Sequence, residues 1–224
     1  MSAQYVFFGI NDLGKRCLDL LVQRGEPPLL VCTTPEDYDE TVFQQAEFGL
    51  SVGHRHKIPK RILDLFPQGI VNLHTGYLPW NRGAYPNVWP IIDGSPAGVT
   101  LHLMDEGIDT GPIIMRTHVQ QDVTWTAESL HRTLGRAAFD LLTFWWEGGR
   151  LMDAKPQDIN EGSTHTKAEL DHMSLDVDES RWRSSMTLFM ALAMLRARTF
   201  DGYPGLRVRD GNTEYRMSVR IEPV

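Results

Sequence analysis

Cysteine is scarce in this sequence. Cys17 and Cys32 are the only two, and both sit inside apolar runs. That speaks against a disulfide or a metal pair and for buried, inert thiols. No Cys-x-x-Cys or His-Glu-x-x-His spacing occurs, so no metal is expected at the site. Long apolar runs are missing as well. None approaches the roughly 20 residues needed to span a bilayer, so no membrane partner is expected. The first residues, Met1-Ser-Ala-Gln-Tyr5, have neither the basic start nor the long apolar centre of a secretory leader, and a cytoplasmic protein is the expectation. Positive charge is in deficit: 22 Lys and Arg against 29 Asp and Glu give a net charge of -7. Neutralising phosphates needs a basic face, so nucleic acid is not expected as a partner.

What is present fits one domain of ordinary size with a small appendage: 224 residues, 42% hydrophobic and 23% charged, enough to bury a sizeable core. We divide the chain into a catalytic core over 1–150 and an extension over 151–224. No internal repeat or low-complexity tract is found. The run Tyr5-Val-Phe-Phe-Gly9 reads as a buried strand, and Asn11 or Asp12 as a cap for a helix with Leu13, Cys17, Leu18 and Leu21 on one side. Gly25 and Pro27-Pro28 end that helix, and Leu29 to Thr33 is a second strand. A β-α-β opening implies parallel strands joined by a right-handed crossover.

Pro35 to Glu47 is acidic and turn-rich, with no clear element. Gly49 to Gly53 reads as a third strand, Pro59 to Phe66 as a short helix, and Gly69 to His74 as a fourth strand. The alternation in Val99 to Met104 predicts a strand, with Ile113 to Val119 beside it. Thr126 to Trp146 is the clearest helix, capped by Thr126 and ended by Gly148-Gly149. Ala154 to Ser163 reads as a loop, Ser174 to Trp182 as an acidic polar stretch, and Ser185 to Arg198 as a second apolar helix. A hairpin closes the chain: Leu206 to Arg209, a turn at Asp210-Gly211-Asn212, then Tyr215, Met217, Val219 and Ile221 in alternation.

Chemistry concentrates at the end of the fourth strand. Side chains two apart on a strand point the same way, so Asn72 and His74 should share one face. Asp109 follows in a Gly-flanked loop. Taken singly, each has a structural reading: a strand-end His that hydrogen-bonds, an Asn that caps a turn, an Asp that forms one. Together, with no Ser or Cys nucleophile beside them, they suit direct acyl transfer to an amine. Asn72 could donate to an oxyanion, His74 could move the proton, and Asp109 could fix the imidazole tautomer.

The segments Asn72-Leu-His74, Leu78-Pro-Trp-Asn-Arg-Gly-Ala-Tyr-Pro-Asn-Val-Trp89, Gly98-Val-Thr-Leu-His102 and Asp105-Glu-Gly-Ile-Asp-Thr-Gly-Pro-Ile-Ile114 resemble the folate-dependent formyltransferase family. That family includes methionyl-tRNA formyltransferase, glycinamide ribonucleotide transformylase and the sugar N-formyltransferases. The resemblance implies an α/β fold with a Rossmann-like, mostly parallel sheet, here with a short carboxy-terminal helix and β-hairpin. It carries the catalytic roles onto Asn72, His74 and Asp109, and implies N10-formyltetrahydrofolate as formyl donor. It points to Gly53, His54, His56, Ile58, Met104, Asp105, Gly107 and Ile108 as donor contacts. Asn11, Tyr77, Trp80, Asn81, Arg82 and Tyr85 are the acceptor candidates.

Within the family the chain looks most like the sugar N-formyltransferases. Phe8-Gly-Ile-Asn-Asp-Leu-Gly14 is similar to their first turn and is not the Gly-Ser-rich phosphate loop of the purine enzyme. About a hundred residues after the Asp109 loop look too few for the rest of the core plus the basic barrel of the tRNA enzymes. The expected acceptor is thus the amine of a nucleotide-linked amino-deoxysugar; an amino acid or hydroxyornithine is the alternative. The stretch between Thr33 and Gly49 looks shorter than in relatives, which predicts a more open pocket. A homodimer through the carboxy-terminal helix and hairpin is also expected. A dinucleotide-dependent oxidoreductase is the rival from another class, but Gly9 and Gly14 do not complete Gly-x-Gly-x-x-Gly.

Overall fold

Six strands form one twisted sheet with helices on both faces. The computed structural model describes residues 4–9, 11–173, 187–210 and 213–222. In chain order the first elements are β1 (Tyr5–Gly9), α1 (Asp12–Gln23), β2 (Leu30–Cys32), α2 (Glu40–Phe43), β3 (Phe48–Val52), α3 (Lys60–Leu63) and β4 (Ile70–His74). Next come β5 (Arg82–Gly83), α4 (Trp89–Asp93), β6 (Ala97–Leu103), β7 (Ile113–Val119), α5 (Ala127–Glu147), β8 (Thr164–His165) and α6 (Lys167–Met173). A helix over Leu188–Ala197 and the hairpin β9 (Leu206–Asp210) and β10 (Thr213–Met217) complete the described elements. The sheet runs β2-β1-β3-β4-β6-β7. Its first four strands are parallel, and β6 lies antiparallel to both β4 and β7.

The strand alternation sorts the core into two halves. Tyr5, Phe7, Leu50, Val52, Val71, Leu73, Val99 and Leu101 face α1 and α5, where Leu130, Leu134, Leu142 and Trp145 complete one cluster. Val6, Phe8 and Ile70 face the other way, onto Phe43, Ile62 and Phe66. Burying large apolar side chains on both faces of a parallel sheet is the main stabilising term of such a fold.

The sequence reading is close for the long elements and loose for the short ones. Helix α5 begins after Thr126, whose hydroxyl accepts from the Ser129 N–H, and ends at Gly148. The short third helix covers Lys60–Leu63 rather than Pro59 to Phe66, because only one apolar turn is needed to cover Phe8 and Ile70. The unplaced stretch after Thr33 holds a 3-10 turn at Pro35–Asp37 and α2. Elements β5, α4 and β8 were not expected; each is brief, with little periodicity to read. The helix expected from Ser185 starts at Leu188 among the described residues; Ser185 and Met186 lie outside them, as do Gly211 and Asn212 of the hairpin turn and the acidic stretch from Ser174. Leu170 and Ala197, from the 151–224 region, pack into the same core as α5. Among the described residues, no helix is long and apolar enough to cross a membrane.

Candidate active site

The site grows from a polar row across three strands. Ser51 on β3 pairs with Asn72 on β4, which pairs with His102 on β6. All three share the face of Ile70, beyond the reach of the short α3, so nothing apolar covers them. His74 and Thr100 form the next row. His102 is 2% exposed and His74 8%. Asn72 Nδ2 lies 3.1 Å from His102 Nε2, and His102 Nδ1 lies 2.9 Å from the Leu103 carbonyl. The carbonyl can only accept, which puts a proton on Nδ1 and leaves Nε2 facing both the Asn72 amide and the Asp109 carboxylate. The second N–H of the Asn72 amide stays unused by that bond.

Asp109 enters from the loop between β6 and β7 and meets both imidazoles. Its Oδ2 is 3.5 Å from His74 Nδ1 and its Oδ1 is 3.4 Å from His102 Nε2, while Oδ2 also accepts the Gly83 N–H at 2.9 Å. Burial by itself pushes the carboxyl upward; His74, His102 and the Gly83 N–H outweigh it and hold Asp109 well below the usual carboxylate range. Asp109 is therefore ionised throughout the working pH range. Its backbone sits in the left-handed region at φ 54°, a conformation that a non-glycine residue keeps only when its surroundings enforce it.

One detail is added to the expected scheme. A backbone oxygen grips His74 on the side away from Asp109: Nε2 lies 3.0 Å from the Asn81 carbonyl, which can only accept, so Nε2 carries a proton, and Nδ1 is the atom that faces the Asp109 carboxylate. Gly76 makes room for this: a Cβ there would come within 2.4 Å of Nε2.

A cavity of about 520 Å³ opens over Asn72, His102 and Asp109. Seven of the eight expected donor contacts line it: His54, His56, Ile58, Met104, Asp105, Gly107 and Ile108. Gly53 does not. It turns the chain at φ 69°, and any Cβ would strike the Asn11 side chain. Ile58, Met104 and Ile108 give the cavity apolar walls, while backbone and polar groups edge it, a lining that suits a flat heteroaromatic ring. His54 is held by the Tyr38 hydroxyl at 3.0 Å. Burial, aided by His56, pushes its imidazole down to about 4, so it is neutral here. Its Nδ1 is buried without a hydrogen-bond partner.

The acceptor candidates separate. Asn11 and Tyr85 line a second cavity of about 540 Å³, together with Thr75, Asn87, His131, Arg198 and Tyr203; Arg55 borders both cavities. Asn11 also caps α1 by accepting from the Gly14 N–H. Asn81 and Arg82 are corrected to structural residues, and Tyr77 lines neither cavity. Tyr77 packs under the Arg116 guanidinium and against His118. The Asn81 side chain, 1% exposed, bonds Ser95 and the Pro96 carbonyl. Arg82, 4% exposed, bonds Thr164 and the Ile159 and Glu161 carbonyls. Asn81 and Arg82 turn their polar groups inward to hold a loop, and none of the three lines either cavity. Trp80 is exposed but lines neither cavity. His102 was not singled out as a site residue. The alternation Val99-Thr100-Leu101-His102 would have found it, since the same rule that pairs Asn72 with His74 places it opposite Asn72.

The family model described as formyl transferase matches residues 34–143. Methionyl-tRNA formyltransferase of Pelobacter propionicus is 30% identical over 196 residues, 71% of this chain and 61% of its own length. GDP-perosamine N-formyltransferase of Brucella melitensis is 43% identical over 94 residues, 41% of this chain and 36% of its own. The chain spans 58%, 61% and 45% of the first three curated relatives that it matches, all methionyl-tRNA formyltransferases. A formyltransferase of Anoxybacillus kamchatkensis, solved with UDP-4,6-dideoxy-4-formamido-L-AltNAc and tetrahydrofolate, is 29% identical with a TM-score of 0.67, over 78% of this chain and 93% of that one. The matched span runs from the turn after β2 into α5 and contains every member of the Asn72, His74 and Asp109 set, so the part of the chain that holds the site matches the formyltransferase family.

Proposed function

We propose that this chain is an N-formyltransferase that moves the formyl group of N10-formyltetrahydrofolate to the amine of a nucleotide-linked amino-deoxysugar. One observation carries the reading: Asn72, His102 and an ionised Asp109 meet at one wall of a cavity with apolar sides, with His74 against the Asp109 carboxylate. The bound folate would supply an activated formyl carbon. The free N–H of Asn72 is the donor for the negative charge that develops on the formyl oxygen. His74 is the base for the attacking amine; the imidazolium so formed faces Asp109 at 3.5 Å and returns its proton to the folate N10 as the bond from the formyl carbon to N10 breaks. No covalent bond to the protein is needed.

The sugar-nucleotide part rests on two supports. The second cavity borders the first at Arg55 and presents Tyr85, Tyr203, His131 and Arg198, and aromatic and cationic groups suit a base and phosphates. Two of the similar proteins act on or hold such sugars. A methionyl-tRNA acceptor is the second reading, favoured by the first relatives and opposed by the net charge of -7. In this proposal residues 1–150 are the catalytic core, the extension over 151–224 completes the acceptor side, and the protein works in the cytoplasm. A homodimer would cover Leu188, Phe189, Met190 and Leu192, all exposed on one helix.

A mass-spectrometric screen tests it. Nucleotide amino-sugars, hydroxyornithine and methionyl-tRNA are each incubated with the formyl donor and the protein. A nucleotide amino-sugar that gains one formyl group supports the proposal. Gain by hydroxyornithine or methionyl-tRNA alone transfers it to those acceptors, and gain by none overturns it.

A further inference from the structure

The stretch over 154–163, read from the sequence as a loop, bonds to both sides of Asp109. At one end Lys155 exchanges two backbone hydrogen bonds with Ile113, each 2.8 Å, just past the Asp109 loop. Two residues on, Gln157 Nε2 donates to the Asp109 carbonyl at 2.9 Å and to the Gly111 carbonyl at 2.6 Å. At the other end the Ser163 carbonyl accepts from the Arg82 N–H and the His165 carbonyl from the Ala84 N–H. Between those two lies Gly83, whose own N–H holds the Asp109 carboxylate.

We infer that Gln157 is a positioning residue for Asp109: it staples the left-handed turn that aims the carboxylate between His74 and His102. This rests on the formyl-transfer reading above. The chemistry of the amide is suited to the task. Two carbonyls on either side of Thr110 converge on one nitrogen, and the two N–H donors of an amide satisfy both. The Gln157 oxygen is buried without a partner, so its donors are what fix the side chain in place. With Asp109 at φ 54°, losing the staple lets the backbone relax toward commoner conformations and carries the carboxylate off both imidazoles. Since misplacing a reacting group by about 1 Å can cost roughly 10²-fold in rate, a residue that touches no reactant still controls turnover.

Two variants test this. Gln157→Glu keeps the length but sets an acceptor against the two carbonyls; Gln157→Met keeps the reach and removes the donors. We expect kcat to fall by roughly 10- to 10²-fold in Gln157→Glu, with a smaller loss in Gln157→Met, and KM for donor and acceptor to change little. The second readout needs no turnover: the ring ¹⁵N resonances of His74 in the free protein should shift in both variants as the carboxylate withdraws. Should Gln157→Glu fail to fold, Gln157→Met carries both measurements. Unchanged kcat and unchanged His74 resonances in a folded variant overturn the inference. So does a lower kcat with the His74 resonances unmoved. If the wild-type protein transfers a formyl group to no acceptor, the functional reading falls, and the His74 resonances alone decide the role of Gln157.

Discussion

The two cavities of this protein are built in different ways. The one over Asn72 and Asp109 takes Asn72 and His102 from adjacent strands in fixed register and Asp109 from the loop that follows, each of the three held by at least one hydrogen bond. The one beside it gathers Asn11, Thr75, Tyr85, His131 and Tyr203 from five separate stretches of chain, with few bonds among them. A reaction shared by a whole family needs atoms held to fractions of an ångström, and strand pairing supplies that. Choosing an acceptor needs shape and scattered contacts, which loops and helix ends supply and which can vary without disturbing the chemistry.

Substitutions on the two sides should therefore behave differently. The largest losses belong to the first cavity: Asp109→Asn, His74→Ala and Asn72→Ala should each lower kcat by roughly 10²-fold or more, read in a steady-state formylation assay. Near-normal turnover in any of them removes that residue from the mechanism. Gly76→Ala should cost about tenfold, because its methyl collides with His74 Nε2 and misplaces the ring. On the second side, Tyr203→Ala should raise the acceptor KM several-fold with kcat nearly unchanged. Trp80→Ala, at a residue also exposed but outside both cavities, should change neither. A kcat loss in Tyr203→Ala would erase the contrast.

Two ligand- and pH-based measurements sharpen it. Saturating 5-formyltetrahydrofolate, at about 100 times its Kd, should stabilise the protein by about 2.7 kcal/mol. For a chain of this size that raises Tm by roughly 5–10 °C, and a nucleotide amino-sugar, relying on looser contacts, should raise it less. The smallest effect concerns His54, whose folded value near 4 lies below the ordinary 6.5. Between those values the unfolded chain binds more protons, so this contribution is present above about pH 6.5 and is lost as pH falls toward 4. Tm measured across that window should fall less steeply in His54→Gln than in the wild type.

How much could be read in advance follows the same division. Helix α5, the opening β1-α1-β2 unit and β4 declared themselves through periodicity and capping residues, since a long element repeats its signal. The site set was legible because Asn72 and His74 lie two apart on a strand and Asp109 stands in a turn-rich loop that the family resemblance marks. Asn81 and Arg82 misled for a physical reason: a polar side chain looks alike in sequence whether it faces a ligand or ties down a loop. Asn81 and Arg82 spend their bonds on Ser95, Pro96 and the 159–164 segment, partners too distant in the chain to be anticipated. The same distance hid Gln157, 48 residues from Asp109.

By itself the sequence determined which residues could perform the chemistry and that a parallel sheet would present Asn72 and His74 together, because strand alternation is local geometry. Only the tertiary structure decided which atom of His74 faces Asp109, which groups keep Asp109 ionised and turned inward, and which side chains border the second cavity. Those outcomes depend on hydrogen bonds between segments far apart along the chain, and no local pattern encodes the partner at the other end.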